Sequence, residues 1–271
     1  MNAIEIRYTL MLGVAVAGLV ILGVYSHLAE TSLQRSEFVT GYALFGLILL
    51  LAMFNARKKL PMLPLIRSAY WLAAHVVGGI AAIALFFIHT GSIWPTGAYE
   101  QALAIVFYLV SLSGIFGYVV QRIYPRRLVQ TDLEIIFERI PGELAEIREE
   151  AELEIHECTK ETGSDTLARH YIETLSWYFR RPRFFLNSAF GGDAGNHWLR
   201  NQYRSVDRYL NEVERSYLNR IANLAGMKSK IDVHYACQSV MKGWLLLHLP
   251  LAAGLLGLMF WHIIVVNVYA I

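Results

Sequence analysis

The chain has 271 residues, of which 55% are hydrophobic and only 17% are charged, and its mean hydropathy is +0.39. A soluble domain of this length rarely has such a composition, which favours an integral membrane protein surrounded by lipid. The formal net charge is +2, and we expect no nucleic-acid partner.

Five apolar runs are long enough to cross the hydrocarbon core of a bilayer, which takes about 20 residues. They lie near residues 8–28, 38–54, 69–90, 101–121 and 243–268. The first run is expected to be a helix and not a signal peptide, because its short leader carries Glu5 as well as Arg7 and no clean small-x-small cleavage site follows. The sequence therefore predicts an all-α membrane protein in which five transmembrane helices form a bundle.

The basic residues of the loops predict the orientation of these helices. Lysine and arginine collect between runs two and three and after run four, at Arg57, Lys58, Lys59, Arg67, Arg122, Arg126 and Arg127, whereas the loop 91–100 has none. Basic loops remain on the cytoplasmic side. We expect a bacterial inner-membrane protein with a cytoplasmic N-terminus and an external C-terminus, in which spans three and five run in the same direction.

A polar block separates spans four and five. Its first part is acidic and helical in pattern, and its second part is basic and helical. We predict three segments: transmembrane helices one to four in 1–124, a cytoplasmic helical domain in 125–240, and transmembrane helix five in 241–271. The mixed charge of the insertion suits docking of another protein subunit.

Spans three and five each carry two histidines, and both pairs have the same spacing. His75 and His89 are 14 residues apart, and so are His248 and His262. This separation is about 21 Å along a helix and within roughly 40° of a whole number of turns, so the two imidazoles of a span face the same way. Because the spans are parallel, His75 is expected level with His248, and His89 level with His262.

Two level pairs of imidazoles predict two six-coordinate b-type haems, each iron being held by one histidine from each helix. Other metal sites need three or four converging ligands, and no Cys, Asp or Glu accompanies these histidines in the apolar spans. A lone intramembrane histidine is often a satisfied polar contact, and one pair could be an accident; two pairs on parallel helices favour haem. Glycines at positions 78, 79, 254 and 257 would let a flat macrocycle approach the backbone.

Charged and polar residues near the ends of these spans are candidates for secondary roles. Arg67 and Lys242 are expected to pair with the propionates of the cytoplasmic haem. The outer propionates would have only neutral partners, namely Ser92, Trp94, Tyr99 and Asn267. Proton-active residues for a quinone site are few: His27, Glu30, Glu37 and Glu100 outside, and Tyr124 and Asp132 inside.

The two His-x13-His segments on parallel helices resemble those of the respiratory cytochrome b of quinol-oxidising bc complexes. They are also similar to the membrane domain of ferric reductases and NADPH oxidases. The resemblance covers four histidines and their two helices, and it implies bis-histidine haem b at His75, His89, His248 and His262 and electron transfer across the membrane. It does not extend to the helical insertion, and the chain has no flavin or nicotinamide fingerprint.

We therefore expect an electron-transfer subunit of a quinol-linked oxidoreductase complex, with a quinone and other redox subunits as partners. Iron with both axial positions filled has no open site for substrate, which favours electron transfer over activation of small molecules. The alternative is a non-redox membrane sensor or transporter whose helical block relays a signal or docks a partner. A transporter should show intramembrane charges or inverted repeats, and neither is clear here; a sensor remains open.

Overall fold

The computed structural model describes residues 3–32, 35–56 and 68–269, and within these ranges it contains helices and no strands. The helices, in chain order, are α1 Ala3–Thr31, α2 Ser36–Ala56, α3 Ser68–Thr90, α4 Ala98–Val129, α5 Ile140–Thr162, α6 Thr166–His170, α7 Ser176–Phe179, α8 Phe185–Phe190, α9 Ala194–Asp207 and α10 Glu212–Tyr269. Helices α1 to α4 and α10 are long and apolar enough to cross a membrane. The predicted all-helical architecture with five candidate spans is thereby confirmed.

Helix α10 is much longer than the apolar run that it contains. It has 58 residues and continues through Pro250, so residues 212–242 form a polar part that precedes the apolar part. A reciprocal capping box sets its start: the Asn211 N–H donates to Glu214 Oε2, and the Glu214 N–H donates to Asn211 Oδ1, both at 2.8 Å. The fifth apolar run is therefore the continuation of a helix that begins in the polar block.

The chain divides into two compact units. The first comprises Met1–Tyr118 and Leu245–Ile271, and the second comprises Val119–Trp244. In the first unit α2, α3, α4 and the apolar part of α10 share one buried cluster, formed by Leu44, Ile48, Ala82, Leu85, Phe86, Ala104, Phe107, Leu255 and Met259. The rings of Phe86 and Phe107 stack at its centre, with centroids 4.3 Å apart. This cluster is the interior of the apolar bundle.

The second unit has its own apolar core, which α5, α6, α7, α9 and the polar part of α10 build together. It also holds a buried ion pair. Lys228 Nζ lies 2.6 Å from Asp232 Oδ2, with side-chain exposures of 0% and 5%, and the ammonium lies 3.8 Å from the Tyr178 ring centroid. Burial lowers the pKa of Lys228 and raises that of Asp232.

Candidate functional site

The two histidines of α3 lie on the face that packs inside the first unit. His75 and His89 are half-buried. Ala82 and Phe86, which are 7 and 11 residues after His75, fall on the same helical stripe, since both offsets are within about 20° of whole turns. Both are buried in the shared apolar cluster. The stripe therefore has an imidazole at each end and buried apolar side chains between them.

The apolar part of α10 repeats this arrangement. His248 and His262 are half-buried, and Leu255 and Met259 follow His248 by the same 7 and 11 residues. These two side chains belong to the same buried cluster as Ala82 and Phe86 of α3. Both histidine-bearing stripes therefore border one apolar interior.

The four histidines pair across the bundle by height. The Tyr42 hydroxyl lies 2.9 Å from Asn267 Oδ1, and the rings of Phe45 and Phe260 have centroids 5.0 Å apart. The start of α2 therefore lies beside the end of α10, just as its Thr40 lies beside His89 near the end of α3. Helices α3 and α10 are thus parallel, and we refer to the His75–His248 level and the His89–His262 level.

Helix α2 places one residue at each level, also 14 positions apart. Thr40 Oγ1 lies 3.1 Å from His89 Nδ1, and the Phe54 ring lies beside His75 with centroids 4.9 Å apart. Because the order of the contacts is reversed, α2 runs antiparallel to α3. Gly41 makes the approach of α2 to His89 possible, since a Cβ there would lie 2.8 Å from His89 Cε1.

Helix α4 likewise places one residue beside each histidine of α10. Ser113 Oγ lies 2.7 Å from His248 Nδ1, and the Tyr99 ring stacks on His262 with centroids 6.0 Å apart and planes inclined by 17°. The Tyr99 hydroxyl donates to the Leu258 carbonyl at 2.5 Å, which holds the ring in place. At each level, therefore, one imidazole contacts a hydroxyl group and the other packs beside an aromatic ring.

The contacts of Thr40 bear on the tautomer of His89. A threonine hydroxyl has one proton, and the Ser36 and Glu37 carbonyls of its own helix lie 3.2 Å and 3.3 Å from Thr40 Oγ1. If the proton goes to one of these carbonyls, the Thr40 oxygen accepts from His89 Nδ1–H and the lone pair of the imidazole is on Nε2.

Ser113 acts on His248 in the same way. Its hydroxyl lies 2.8 Å from the Val110 carbonyl, and donation to that carbonyl makes its oxygen the acceptor of His248 Nδ1–H. In that tautomer the lone pair is on Nε2, the nitrogen that commonly binds metal when Nδ1–H is held by a neighbour.

The other two histidines carry orphaned ring nitrogens. His75 Nδ1 and His262 Nδ1 are buried without a hydrogen-bond partner among the described residues; the Leu51 backbone faces the His75 ring but does not satisfy Nδ1. A buried polar atom without a partner is costly and requires an explanation. Among the described residues, no hydrogen bond to Nδ1 therefore selects the tautomer of His75 or His262.

The donor set at each level fits a b-type haem. No group of three or more His, Cys, Asp and Glu residues suited to a metal ion occurs in the described ranges, and a haem needs only two protein ligands because its porphyrin supplies the others. An added Cβ would meet nothing within 4 Å at Gly79, Gly254 or Gly257, whereas at Gly78 it would lie 2.8 Å from Leu51 Cδ2. Gly254 and Gly257 are exposed and line an apolar groove on the outside of the bundle with Leu246 and Leu247, and Gly78 makes room for α2, so among the predicted glycines only Gly79 leaves space on the histidine side of its helix.

The structure describes only one of the two predicted propionate partners, Arg67 and Lys242. Arg67 lies outside the described residues. Lys242 forms an ion pair with Glu138, and its ammonium lies 4.1 Å from the Phe137 ring centroid. To bind a propionate, Lys242 would have to break its ion pair with Glu138.

Some of the neutral residues predicted to bind the outer propionates already have hydrogen-bond partners. Asn267 is hydrogen-bonded to the Tyr42 hydroxyl at 2.9 Å, while Ser92 and Trp94 are exposed. Among the proton-active candidates His27, Glu37 and Glu100 are exposed, Tyr124 is buried, Asp132 has a positive φ of 53°, and the side chain of Glu30 is outside the described set.

Comparison with known proteins gives no relative: no family model, no curated protein and no solved structure matches this chain.

Sequence reasoning missed the residues that hold the imidazoles, namely Thr40, Phe54 and Ser113. A signal for them exists, because the 14-residue spacing recurs between Thr40 and Phe54 and between Tyr99 and Ser113. All four membrane helices of the site therefore carry side chains at both levels with one spacing.

Proposed function

We propose that this chain is a membrane electron-transfer subunit that holds two b-type haems, one at each histidine level. The placement of the four histidines carries the proposal: they lie on two parallel helices that border one apolar cluster, with one histidine of each helix at each level. Each level thus offers two imidazoles, and the two levels are about 21 Å apart along the helices.

The chain's own side chains prepare these positions. Thr40 and Ser113 each contact Nδ1 of one imidazole per level, while Phe54 and Tyr99 pack against the other imidazole. Such outer partners orient a ligand and raise its basicity. The apolar cluster between the levels keeps water from the space that separates them.

A bis-histidine b-type haem supplies one-electron transfer and leaves no open iron position for substrate. Two levels on opposite sides of one apolar interior suit passage of electrons across a bilayer. We place the subunit in a quinol-linked oxidoreductase complex, with its N-terminus and the 125–240 block in the bacterial cytoplasm. Arg67 and Lys242 are the proposed propionate partners on that side, and the helical block is the proposed docking site for a redox subunit.

The absorption spectrum of the purified full-length protein tests this function. We expect the bands of a reduced b-type haem after addition of dithionite, and two haems per chain by pyridine haemochrome assay. A colourless protein, expressed with sufficient haem in the host, would overturn the proposal and leave the sensor or transporter alternative.

A further inference from the structure

Helix α8 presents an apolar face that nothing in its own unit covers. Leu186 and Phe190 are 69% and 86% exposed, and because they are four residues apart they lie on the same side of the helix. The opposite side is packed, since Ser188 and Ala189 are 7% and 4% exposed. The apolar side chains therefore point away from the core of the second unit.

Arg127 holds α8 close to the end of an apolar span. Its guanidinium donates to the carbonyls of Ala189 and Ser188, both at 2.6 Å. Arg127 belongs to α4, and it follows Gln121, where the fourth apolar run ends, by six residues. That offset is about 9 Å along the helix, so the α8 carbonyls that Arg127 binds lie close to the end of the apolar run of α4.

The backbone before α8 is bent in a way that turns this face outward. Phe184 has φ 54°, a left-handed conformation that is rare for a bulky residue. Its ring packs inward, with centroids 6.1 Å from Trp198 and 6.3 Å from Trp177. The chain thus buries one aromatic ring and exposes Leu186 and Phe190 in the helix that follows.

Two exposed arginines precede α8 in the chain. Arg180 and Arg181, just before α8, are exposed, and among the described residues neither forms an ion pair. The nearby Arg183 is engaged instead, because its guanidinium stacks over Trp177 at 4.0 Å. An exposed apolar face, preceded in the chain by free arginines and held at the end of a membrane span, matches the surface of an anionic bilayer.

We infer that α8, with Arg180 and Arg181, is a membrane-surface anchor. Leu186 and Phe190 enter the boundary between headgroups and acyl chains, and the two arginines bind anionic lipid headgroups. The anchor fixes the second unit against the bilayer at one point beyond α4. It depends on the spans being in a membrane and not on haem binding.

Spin-label accessibility in the full-length protein tests the anchor. Leu186→Cys and, separately, Phe190→Cys are labelled with a nitroxide and reconstituted in vesicles of equimolar phosphatidylcholine and phosphatidylglycerol. Leu153→Cys on α5 is the matched control, because Leu153 is also apolar and 56% exposed. The native Cys158 and Cys237 are buried and remain unlabelled.

We expect the labels at 186 and 190 to be relaxed by oxygen dissolved in the bilayer and protected from a water-soluble nickel chelate, and the label at 153 to show the opposite. In the R180Q/R181Q background, or in pure phosphatidylcholine, the labels at 186 and 190 should lose part of that protection. Free access of nickel at both positions would overturn the anchor. Protection from both reagents would also overturn it, because it would place protein against α8.

Discussion

Two hydroxyl groups are expected to tune the two levels separately. Thr40→Val removes the acceptor of His89 Nδ1–H, and Ser113→Ala removes that of His248. Loss of such a partner lowers the basicity of the ligand and costs about 10–100-fold in metal affinity. We expect each variant to raise the midpoint potential of the haem at its own level, to weaken retention of that haem, and to leave the other unchanged.

Thr90→Val is the matched control for these variants. Thr90 follows His89 in sequence, and its hydroxyl lies 3.0 Å from the Phe86 carbonyl and 2.8 Å from the Ser92 carbonyl, so its one proton is donated to the backbone. Potentiometric titration of the purified proteins measures the effect. Equal shifts of both haems in either variant, or a shift in Thr90→Val as large as that in Thr40→Val, would refute the assigned contacts.

The buried Lys228–Asp232 pair predicts a contrast between single and double replacement. Removing one partner of a buried pair leaves an uncompensated charge and costs about 3–5 kcal/mol, whereas apolar replacement of both is often neutral or stabilising. Lys228→Met should therefore lower the thermal midpoint of the second unit, and Lys228→Met/Asp232→Leu should restore it. As a control, Arg169→Ala removes an exposed ion pair and should leave the thermal midpoint unchanged. A double variant less stable than the single one would contradict the prediction.

At the scale of elements, His234 joins the polar part of α10 to the turn after α4. Thr131 donates to the Leu128 carbonyl at 2.7 Å, so its oxygen accepts from His234 Nε2–H at 2.8 Å. His234 Nδ1 faces the Gln238 amide at 3.4 Å. Each ring nitrogen of His234 thus has a polar neighbour.

Burial lowers the pKa of His234 below its ordinary 6.5, which predicts acid sensitivity. Between the lowered pKa and 6.5 the unfolded chain binds more protons than the folded one, so stability falls as the pH drops through this window. His234→Gln keeps an N–H donor for Thr131 and cannot be charged. Its thermal midpoint should fall less between pH 7 and pH 5 than that of the wild type; parallel losses would show that His234 does not contribute.

Apolar length predicted the five candidate spans, but it could not predict where the helices end. Hydrophobic runs mark the part of a helix that suits lipid, whereas the start of a helix depends on capping. The Asn211–Glu214 box starts α10 well before its apolar part, and its N-x-x-E signature is visible in the sequence. Gly78 shows another limit: its role depends on Leu51, a neighbour that belongs to a different helix.

For the whole molecule, the orientation predicted from loop charge can be measured by cysteine accessibility. Ser92 and Glu150 are exposed, and a cysteine at either position should react readily. We expect Ser92→Cys to react with an impermeant maleimide in intact cells, and Glu150→Cys to react only after permeabilisation, because basic loops stay in the cytoplasm. The reverse pattern would invert the proposed direction across the membrane.

The equal spacing of the histidines is visible in the sequence, whereas the same spacing of Thr40 with Phe54 and of Tyr99 with Ser113 gains meaning only once their contacts are known. Serine and threonine in membrane helices commonly bond to their own backbone, as Thr40 and Ser113 also do. Nothing in the sequence distinguishes a hydroxyl whose oxygen also accepts from an imidazole. That distinction needs the neighbouring helix, and only the structure supplies it.

The account depends most directly on the pairing of histidines by level, which haem content and redox titration of four alanine variants can measure. His89→Ala and His262→Ala should lose the same haem and look alike, and His75→Ala and His248→Ala should lose the other. The double variant His89→Ala/His262→Ala should lose no more haem than either single one, since both residues act on one site. Retention of both haems in His89→Ala, or the same residual spectrum and potential in His89→Ala and His75→Ala, would contradict the account.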